Sequence, residues 1–366
     1  TQDIPLTAST TAIDNSTANV ELVIEGDGHT VAGQDISGVR AFLIEDSTRA
    51  TIQNIVVTGS NNVSGGGSDT GGAIVVLGGT LTVQGSTLSG NQGALGGAIN
   101  NVDGQVTVIN STLSDNQAVG VIGLGGAILN SGSPGGGATV TVINSTLSGN
   151  QASGRGGGIY NSPDASLNLI SSTLSDNQAT DGGGGIANST DATISLTNTI
   201  VSNSVNGDCL LAGGTINAEF SLIEDGLTCV NGTNSNNLSG DPVLGPLQNN
   251  GGPTFTHALL AGSPAIDAGD TLEPTDQRGE ARPFGLADDI GAFELQTCFV
   301  DNWSVANEAE LNAAIACYNS KTVAGSYTIT LTQDILLSDR QTDRSTTAID
   351  NATAGVELVI EGSGFA

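Results

Sequence analysis

The sequence lacks methionine and is poor in aromatic and basic residues. Aromatic side chains make up 3% of its 366 residues, and 8 Lys and Arg stand against 37 Asp and Glu, which gives a formal net charge of −29. A surface with this charge repels phosphate backbones and anionic lipids, so we exclude nucleic acid and bare membrane as main partners. Because large rings are scarce, the chain is predicted to fold around a thin core of Val, Ile, Leu and Ala.

Long apolar runs and metal-binding loops are also missing. No stretch approaches the length of a transmembrane helix, and no signal peptide opens the chain. The sequence contains no EF-hand loop and no glycine-aspartate nonapeptide. Any calcium is therefore expected to bind only at scattered acidic residues. We expect a segment of a longer secreted precursor that needs no cofactor.

The four cysteines form two close pairs. Cys209 and Cys229, like Cys298 and Cys317, are separated by about twenty residues, and no CxxC motif is present. We therefore predict two local disulfides in an oxidising compartment. Four buried thiols are the alternative.

Glycine is abundant, with 53 residues, and it punctuates a short repeat. The repeat is seen in LTVQGSTLSGNQ (81–92), VTVINSTLSDNQ (106–117), VTVINSTLSGNQ (140–151) and LNLISSTLSDNQ (167–178). A second motif follows in GGAINN (96–101), GGAILN (125–130), GGGIYN (156–161) and GGGIAN (183–188). Units of roughly 25 to 35 residues that repeat in this way indicate a solenoid.

The pattern inside each unit is that of short strands. Val106 and Val108 alternate with Thr107, and β-branched residues dominate, which predicts strands with Gly and Asn at the corners between them. Stacked coils would pair equivalent strands in parallel at about 4.8 Å, so that like side chains form columns.

Two of these columns are predicted to be asparagines at inward corners. They are Asn54, Asn110, Asn144 and Asn198, and Asn91, Asn116, Asn150 and Asn177. We expect each amide to bond the backbone and the amide of the neighbouring coil, as in a structural ladder. Glycan attachment is the alternative, because Asn110 and Asn144 lie in N-S-T.

These motifs resemble known repeats. GGAI and S-T-L-S-x-N-Q resemble the repeats of right-handed parallel β-helix surface proteins, related to the GGAI/FxxN repeats of polymorphic outer-membrane proteins. Residues 240–294, from GDPVLGPLQNNGGPTFTHALLAGSPAIDAGD to DIGAFE, resemble the choice-of-anchor Q domain of bacterial secreted β-helix proteins. The resemblance implies an all-β, right-handed parallel β-helix outside the bacterial cell, although Leu stands where the FxxN repeats have an aromatic residue.

The end of the chain repeats its beginning. TTAIDNATAGVELVIEGSGFA (346–366) matches TTAIDNSTANVELVIEGDGHT (10–30) at sixteen of twenty-one positions. Apolar residues at helical spacing in 304–319 predict a short amphipathic capping helix over an open end of a β-helix. We therefore divide the chain into β-helix coils (1–239), the part that resembles choice-of-anchor Q (240–297), and a cap helix with the first coils of a next unit (298–366).

Catalysis is not expected from the coils, although related folds carry polysaccharide lyases and hydrolases. A lyase needs a base beside calcium-holding carboxylates, but residues 40–204 hold only Arg40, Arg49 and Arg155 as basic residues. A hydrolase needs clustered carboxylates, whereas Asp115 and Asp176 occupy a turn position that glycine fills in other coils.

One segment is dense in polar and charged side chains. These are His257, Asp267, Asp270, Asp276, Arg278, Arg282, Asp289 and Glu294. A hydrolytic His/Asp pair is conceivable, but no Ser or Cys lies in a nucleophile elbow, so we predict a structural network and assign no catalytic residue.

The sequence thus favours a secreted or cell-surface structural protein. We predict a β-helix module that joins further copies of itself head to tail in a fibre, filament or adhesin stalk. Binding or cleavage of a surface polysaccharide is the alternative. Ice binding is a minor one, suggested by threonine columns that include Thr80, Thr139 and Thr193 but are interrupted by Gln105 and Ser166.

Overall fold

A computed structural model gives the fold of most of the chain. It describes residues 3–10, 12–14, 20–34, 36–63, 71–296, 302–305, 311, 314–315, 318, 325–331 and 356–362. Cys298 and Cys317 lie outside these residues, and so does the predicted disulfide between them.

Short strands succeed one another along nearly the whole described chain. The first are β1 (Ile4–Pro5), β2 (Glu21–Glu25), β3 (Thr30–Ala32), β4 (Phe42–Ile44), β5 (Arg49–Gln53), β6 (Val56–Thr58), β7 (Asn61–Asn62), β8 (Ile74–Leu77), β9 (Thr80–Gln84), β10 (Thr87–Ser89), β11 (Gln92–Gly93) and β12 (Ile99–Val102). The next are β13 (Gln105–Ile109), β14 (Thr112–Ser114), β15 (Gln117–Ala118), β16 (Ile128–Ser131), β17 (Thr139–Ile143), β18 (Thr146–Ser148), β19 (Gln151–Ala152), β20 (Ile159–Asn161), β21 (Ser166–Ile170), β22 (Thr173–Ser175), β23 (Gln178–Ala179) and β24 (Ile186–Asn188). The last are β25 (Thr193–Thr197), β26 (Ile200–Ser202), β27 (Cys209–Leu211), β28 (Thr215–Glu219), β29 (Leu222–Ile223), β30 (Asn234–Ser235), β31 (Leu244–Gln248), β32 (Thr256–Leu259), β33 (Asn302–Val305), β34 (Gly325–Leu331) and β35 (Val356–Gly362).

Most of these strands stack in four parallel sheets that form one coil after another. Sheet 1 runs β2-β5-β9-β13-β17-β21-β25-β28-β30, and sheet 2 runs β1-β3-β6-β10-β14-β18-β22-β26-β29. Sheet 3 holds β7-β11-β15-β19-β23, and sheet 4 holds β4-β8-β12-β16-β20-β24-β27. The chain passes through the sheets in this order and then begins the next coil, so the predicted all-β parallel β-helix is confirmed.

The interior contains columns of like aliphatic side chains. Within sheet 1, Leu81, Val106, Val140, Leu167 and Ile194 lie over one another and are buried. The glycine pairs allow this close stacking: a Cβ on Gly97 would lie 2.2 Å from the carbonyl oxygen of Gly126. Burial of each Leu or Ile contributes about 1.5–3 kcal/mol to the free energy of folding, so the core is stabilised by many contributions of similar size.

After β30 the chain leaves the stack and packs along its flank. Residues 240–296, which we call the lobe, contain the antiparallel pair β31 and β32 and otherwise irregular backbone. Phe293, Leu259 and Ile290 of the lobe pack with Ile200 and Leu222 on the outer side of sheet 2.

The C-terminal part forms a separate three-stranded parallel sheet, in the order β33-β34-β35. Leu311, Ala314, Ile315 and Tyr318, the described residues of the predicted capping helix, are helical. Three of them are buried in one cluster with Val305, Tyr327 and Ile329 of this sheet. The described contacts of the helix are therefore with β33 and β34, and the remainder of its predicted span lies outside the described residues.

Candidate functional site

One predicted asparagine column forms a continuous amide ladder. The Asn116 side-chain nitrogen donates to Asn150 Oδ1 at 2.9 Å and to the Leu88 carbonyl at 3.0 Å. Asn116 Oδ1 in turn accepts from the backbone and side-chain nitrogens of Asn91, and Asn177 receives the bonds of Asn150 in the same way. Asn91, Asn116 and Asn150 thus each bond the coil before and the coil after their own, which satisfies their buried amides.

The other predicted column, Asn54, Asn110, Asn144 and Asn198, is not an amide ladder. Its members have positive φ angles of 45° to 53°, and Gly85 and Ser171 take the same conformation in the coils between them. Among the described residues the amides of this column bond Glu25, Thr275 and Asp289 rather than one another, so the expectation of stacked amides was wrong here. Asn is used at this corner because it tolerates that conformation.

A third column of polar residues forms the amide ladder that was expected of Asn54, Asn110, Asn144 and Asn198. Asn101, Asn130, Asn161 and Asn188 are buried, and successive amides bond at 2.9 to 3.0 Å. Sequence reasoning assigned no role to these residues. The signal was the final Asn of the glycine-rich motifs, as in GGAILN and GGGIYN.

Of the two predicted disulfides, the structure describes Cys209–Cys229. Their Cα atoms are 6.2 Å apart, and the bond closes a loop between positions 20 residues apart. It ties β27, the last strand of sheet 4, to the segment that follows β29. The disulfide thus fastens the C-terminal end of the stack.

The lobe binds to the repeated threonines of the S-T-L-S motif. Thr112 Oγ1 donates to the Phe255 carbonyl, and Thr146 Oγ1 donates to Gln277 Oε1, both at 2.6 Å. Thr173 Oγ1 accepts from the Ala292 backbone nitrogen at 3.0 Å. These threonines point outward from sheet 2 and are nevertheless buried, because the lobe covers them.

The corner asparagines also hold the lobe. Asn144 Nδ2 donates to the Thr275 carbonyl at 2.8 Å, and Asn198 Nδ2 donates to the Asp289 carbonyl at 3.0 Å. The backbone nitrogen of Asp270, another member of the predicted polar set, donates to Asn198 Oδ1 at 3.2 Å. The corner that was expected to join coil to coil thus joins the coils to the lobe.

Two arginines organise the interior of the lobe. Arg282 donates to Glu294 Oε2 at 2.9 Å and to the carbonyls of Asp289 and Gly291, and both ionic side chains are fully buried. Arg278 donates to Asp276 at 2.8 Å and lies over the Phe293 ring at 3.7 Å. Such groups replace an apolar core in a segment with little secondary structure.

Burial shifts the pKa values of the carboxylates in this network. Burial raises the pKa of Glu294, and the neighbouring Asp289 carboxylate raises it further. Burial likewise raises the pKa of Asp289 and of Asp267, although each accepts backbone N–H groups that oppose the shift. At the end of the stack, burial raises the pKa of Asp208 to about 6.

His257 forms a hydrogen bond with Ser148, a residue that the sequence did not connect with it. His257 Nδ1 donates to the Gly245 carbonyl at 2.8 Å, so Nε2 accepts from Ser148 Oγ at 2.9 Å, and Asp176 Oδ2 lies 3.9 Å from Nε2. Burial lowers the pKa of His257, so the ring is a neutral base beside a hydroxyl. Ser148 and His257 are only 4% and 2% exposed, however, so the pair is buried where the lobe packs on the coils.

The carboxylates and arginines weighed for polysaccharide chemistry do not converge. Asp115 and Asp176 are exposed corner residues with φ near 60°, at the position that Gly90 and Gly149 fill in other coils. Although the Asp115 side chain is exposed, partial desolvation by the surrounding chain raises its pKa. Of the basic residues, Arg49 lies in β5, whereas Arg155 lies between β19 and β20 several coils away.

The threonine columns lie in register on the outer face of sheet 1. Thr80, Gln105, Thr139, Ser166 and Thr193 follow one another directly across β9, β13, β17, β21 and β25. Gln105 and Ser166 therefore interrupt the threonine array in space as they do in sequence.

Among the described strands, none pairs with the outer edge of β2 at the N-terminal end of the stack. The edge of β2 borders a groove of about 440 Å³ whose lining includes Ile4, Leu6, Ile24, Val31, Phe42 and Ile55. On β2 itself, Leu22 and Val23 are 43% and 53% exposed. This apolar end is the candidate interaction site of the molecule.

Comparison of the chain with protein-family models, with curated proteins and with solved structures finds no match in any of the three. Within the described residues, no group of three or more His, Cys, Asp or Glu is arranged to hold a metal ion. None of the helical segments described is long and apolar enough to cross a membrane.

Proposed function

We propose that the chain is an extracellular structural module, a parallel β-helix that repeats head to tail along a fibre, filament or adhesin stalk and performs no chemistry. The observation that carries the proposal is the strand VELVIEG, which occurs at 20–26 and at 356–362. The first copy contains β2, the outermost strand of sheet 1, and the second is β35, which ends another parallel sheet. In this proposal the chain contains one stack and the beginning of a second.

The construction of the stack suits a mechanical role. Two amide ladders run parallel to the axis, and in-register strands add backbone bonds at every coil. Because each coil contacts only its neighbours, length can be added without a change in the core. A module of this kind resists bending and extends easily by repetition.

An extracellular location is supported by the disulfide Cys209–Cys229. The resemblance of residues 240–294 to choice-of-anchor Q domains points the same way. The high negative charge favours separate fibres over bundles, because like-charged surfaces repel. Head-to-tail copies are the main partner in this proposal, with a surface polysaccharide as a further one for an adhesin.

Electron microscopy of the native material tests this function. Sheet 1 contributes nine rungs and β33 and β34 contribute two more, so at about 4.8 Å per rung we expect filaments with an axial repeat of about 5 nm. Isolated monomers would contradict the proposal. Release of reducing ends from acidic polysaccharides, lost in Arg155→Ala, would replace it with a lyase.

A further inference from the structure

The two copies of VELVIEG have complementary free edges. β2 pairs with β5, and among the described residues no strand pairs with its other edge. β35 pairs with β34 on that other edge, with Tyr327 opposite Leu358 and Ile329 opposite Ile360, and in the described chain it has no partner where β2 has β5. Each copy therefore possesses the neighbour that the other lacks.

Apolar side chains are exposed at both free edges. Leu22 and Val23 of β2 are 43% and 53% exposed, and Ile360 of β35 is 47% exposed. By contrast, Tyr327 and Ile329, which lie on the strand beside β35, are 5% and 0% exposed. A strand placed beside β35 in the way that β5 lies beside β2 would cover Ile360.

We propose that β35 of one copy replaces β2 of a second copy on the edge of β5. Residues 302–362 of the first copy would then become the opening coils of the second, and β2 of the second copy would be displaced. This inference rests on the proposed head-to-tail function and names the surface and the partner that carry it out.

Because β35 contains the sequence of β2, β35 offers β5 the same side chains that β2 offers it. Glu25 accepts hydrogen bonds from Gln53 Nε2 at 2.7 Å and Asn54 Nδ2 at 3.0 Å, and Glu361 occupies the equivalent position of the repeat. Glu21 accepts from the Thr51 hydroxyl, and Glu357 is its equivalent. The incoming strand therefore carries the acceptors for these three side-chain hydrogen bonds.

Replacement differs from the original pairing on the side of the strand that faces away from β5. β2 ends the sheet with an open edge, whereas β35 brings β34, β33 and the buried helical residues Ala314 and Ile315 with it. Replacement exchanges the β2–β5 pair for a β35–β5 pair, and it also places β34, β33 and the helical residues over the apolar groove, so the joined stack has no open edge at this point. A strand added to an exposed sheet edge is an established mode of association.

Simple addition of β35 to the free edge of β2 is less favourable. In the same parallel register it would place Glu357 opposite Glu21 and Glu361 opposite Glu25. Like charges directly opposite one another on neighbouring strands are destabilising. Replacement avoids both contacts because the displaced strand takes Glu21 and Glu25 with it.

Cysteine cross-linking between full-length chains tests the register. Val23 lies opposite Thr51 in the β2–β5 pair, so Val359 would lie opposite Thr51 after replacement. Neighbouring Cα atoms at about 4.8 Å are within disulfide range. A mixture of Thr51→Cys and Val359→Cys chains under mild oxidation should give at least about tenfold more covalent heterodimer than Thr141→Cys with Val359→Cys.

Thr141 is the matched control because it faces outward from sheet 1 in the middle of the stack. A heterodimer from Val23→Cys with Val359→Cys, in place of the Thr51 product, would show addition to β2 and overturn replacement. Deletion of residues 1–26 separates the two geometries again. It should increase assembly at equal concentration under replacement, because the competing strand is gone, and abolish it under addition.

The outcomes distinguish this inference from the function on which it rests. Filaments with the expected repeat, but no Thr51–Val359 product above the control, would overturn strand replacement and leave the structural function standing. Absence of both filaments and cross-linked product would overturn the two together. Ile360→Asp in the chain without residues 1–26 should return assemblies to monomers, since the charge would enter the apolar groove.

Discussion

Asn110 and Asn116 are six residues apart in one coil, and the fold uses them for different physical reasons. Asn116 is buried and is needed for its amide, which bonds the coils on both sides. Asn110 has a φ of 48° and is needed for its backbone, because an Asn adopts left-handed geometry more readily than most residues. Position in the coil, more than residue type, decides what an asparagine contributes.

The free energy of unfolding should separate these roles. Asn116→Ala leaves buried partners of the ladder unsatisfied and should lower stability by about 2–4 kcal/mol in chemical denaturation. Asn110→Gly retains the left-handed corner and should change stability by less than about 0.5 kcal/mol. Equal losses for the two variants would show that the ladder is not the source of the stability.

A second prediction concerns the buried carboxylate Glu294. Its pKa is raised in the folded lobe, so the folded state holds the proton more tightly, and the corresponding stability is present at low pH and lost as pH rises through the folded pKa. We expect the melting temperature to fall between about pH 5 and about pH 9, and Glu294→Gln to reduce this fall. Glu280→Gln, at an exposed position of the same lobe, is the control. An unchanged pH dependence in Glu294→Gln would contradict the prediction.

Among the elements, the lobe and the disulfide have the clearest separate functions. The lobe covers the outer side of sheet 2 from Thr112 to Leu222, which converts repeated surface hydroxyls into buried contacts. The disulfide fastens the coils beyond β27, where sheet 1 shortens to the two residues of β30. The stack is thus protected along one flank and at its C-terminal end.

Removal of the disulfide should loosen that end. Cys209→Ser with Cys229→Ser opens a loop of about twenty residues, for which chain entropy gives a loss of about 3 kcal/mol. Limited proteolysis should then begin between β27 and β30 and leave β9 to β22 intact. Cleavage that starts in the middle coils would show that the disulfide acts on the whole stack.

For the molecule as a whole, the solenoid predicts a gradient of protection. Each coil is held by the coils on either side, so end coils open more readily than middle ones. In hydrogen exchange, amides of β12 to β17 should exchange more slowly than those of β2, β3 and β30. Uniform protection along the axis would instead indicate one cooperative unit.

The sequence by itself determined the repeat, the strands and the columns of like residues. Apolar residues that alternate with a period of two predicted strands, and a repeating unit of about 25 to 35 residues predicted a solenoid. Both patterns follow from local backbone geometry. The Cys209–Cys229 pairing was readable from spacing alone. The Asn101–Asn188 ladder was present in the glycine-rich motifs but was not assigned.

Only the tertiary structure decided which asparagines face inward and what covers the outside. Asn144 and Asn198 bond the lobe, whereas Asn116 bonds the neighbouring coils, and the repeat by itself predicted the same ladder for both columns. The contacts of Thr146 with Gln277 and of Ser148 with His257 join residues more than a hundred positions apart. Such pairs depend on where the lobe packs, which is set by the summed burial of its apolar and ionic groups and by no local motif.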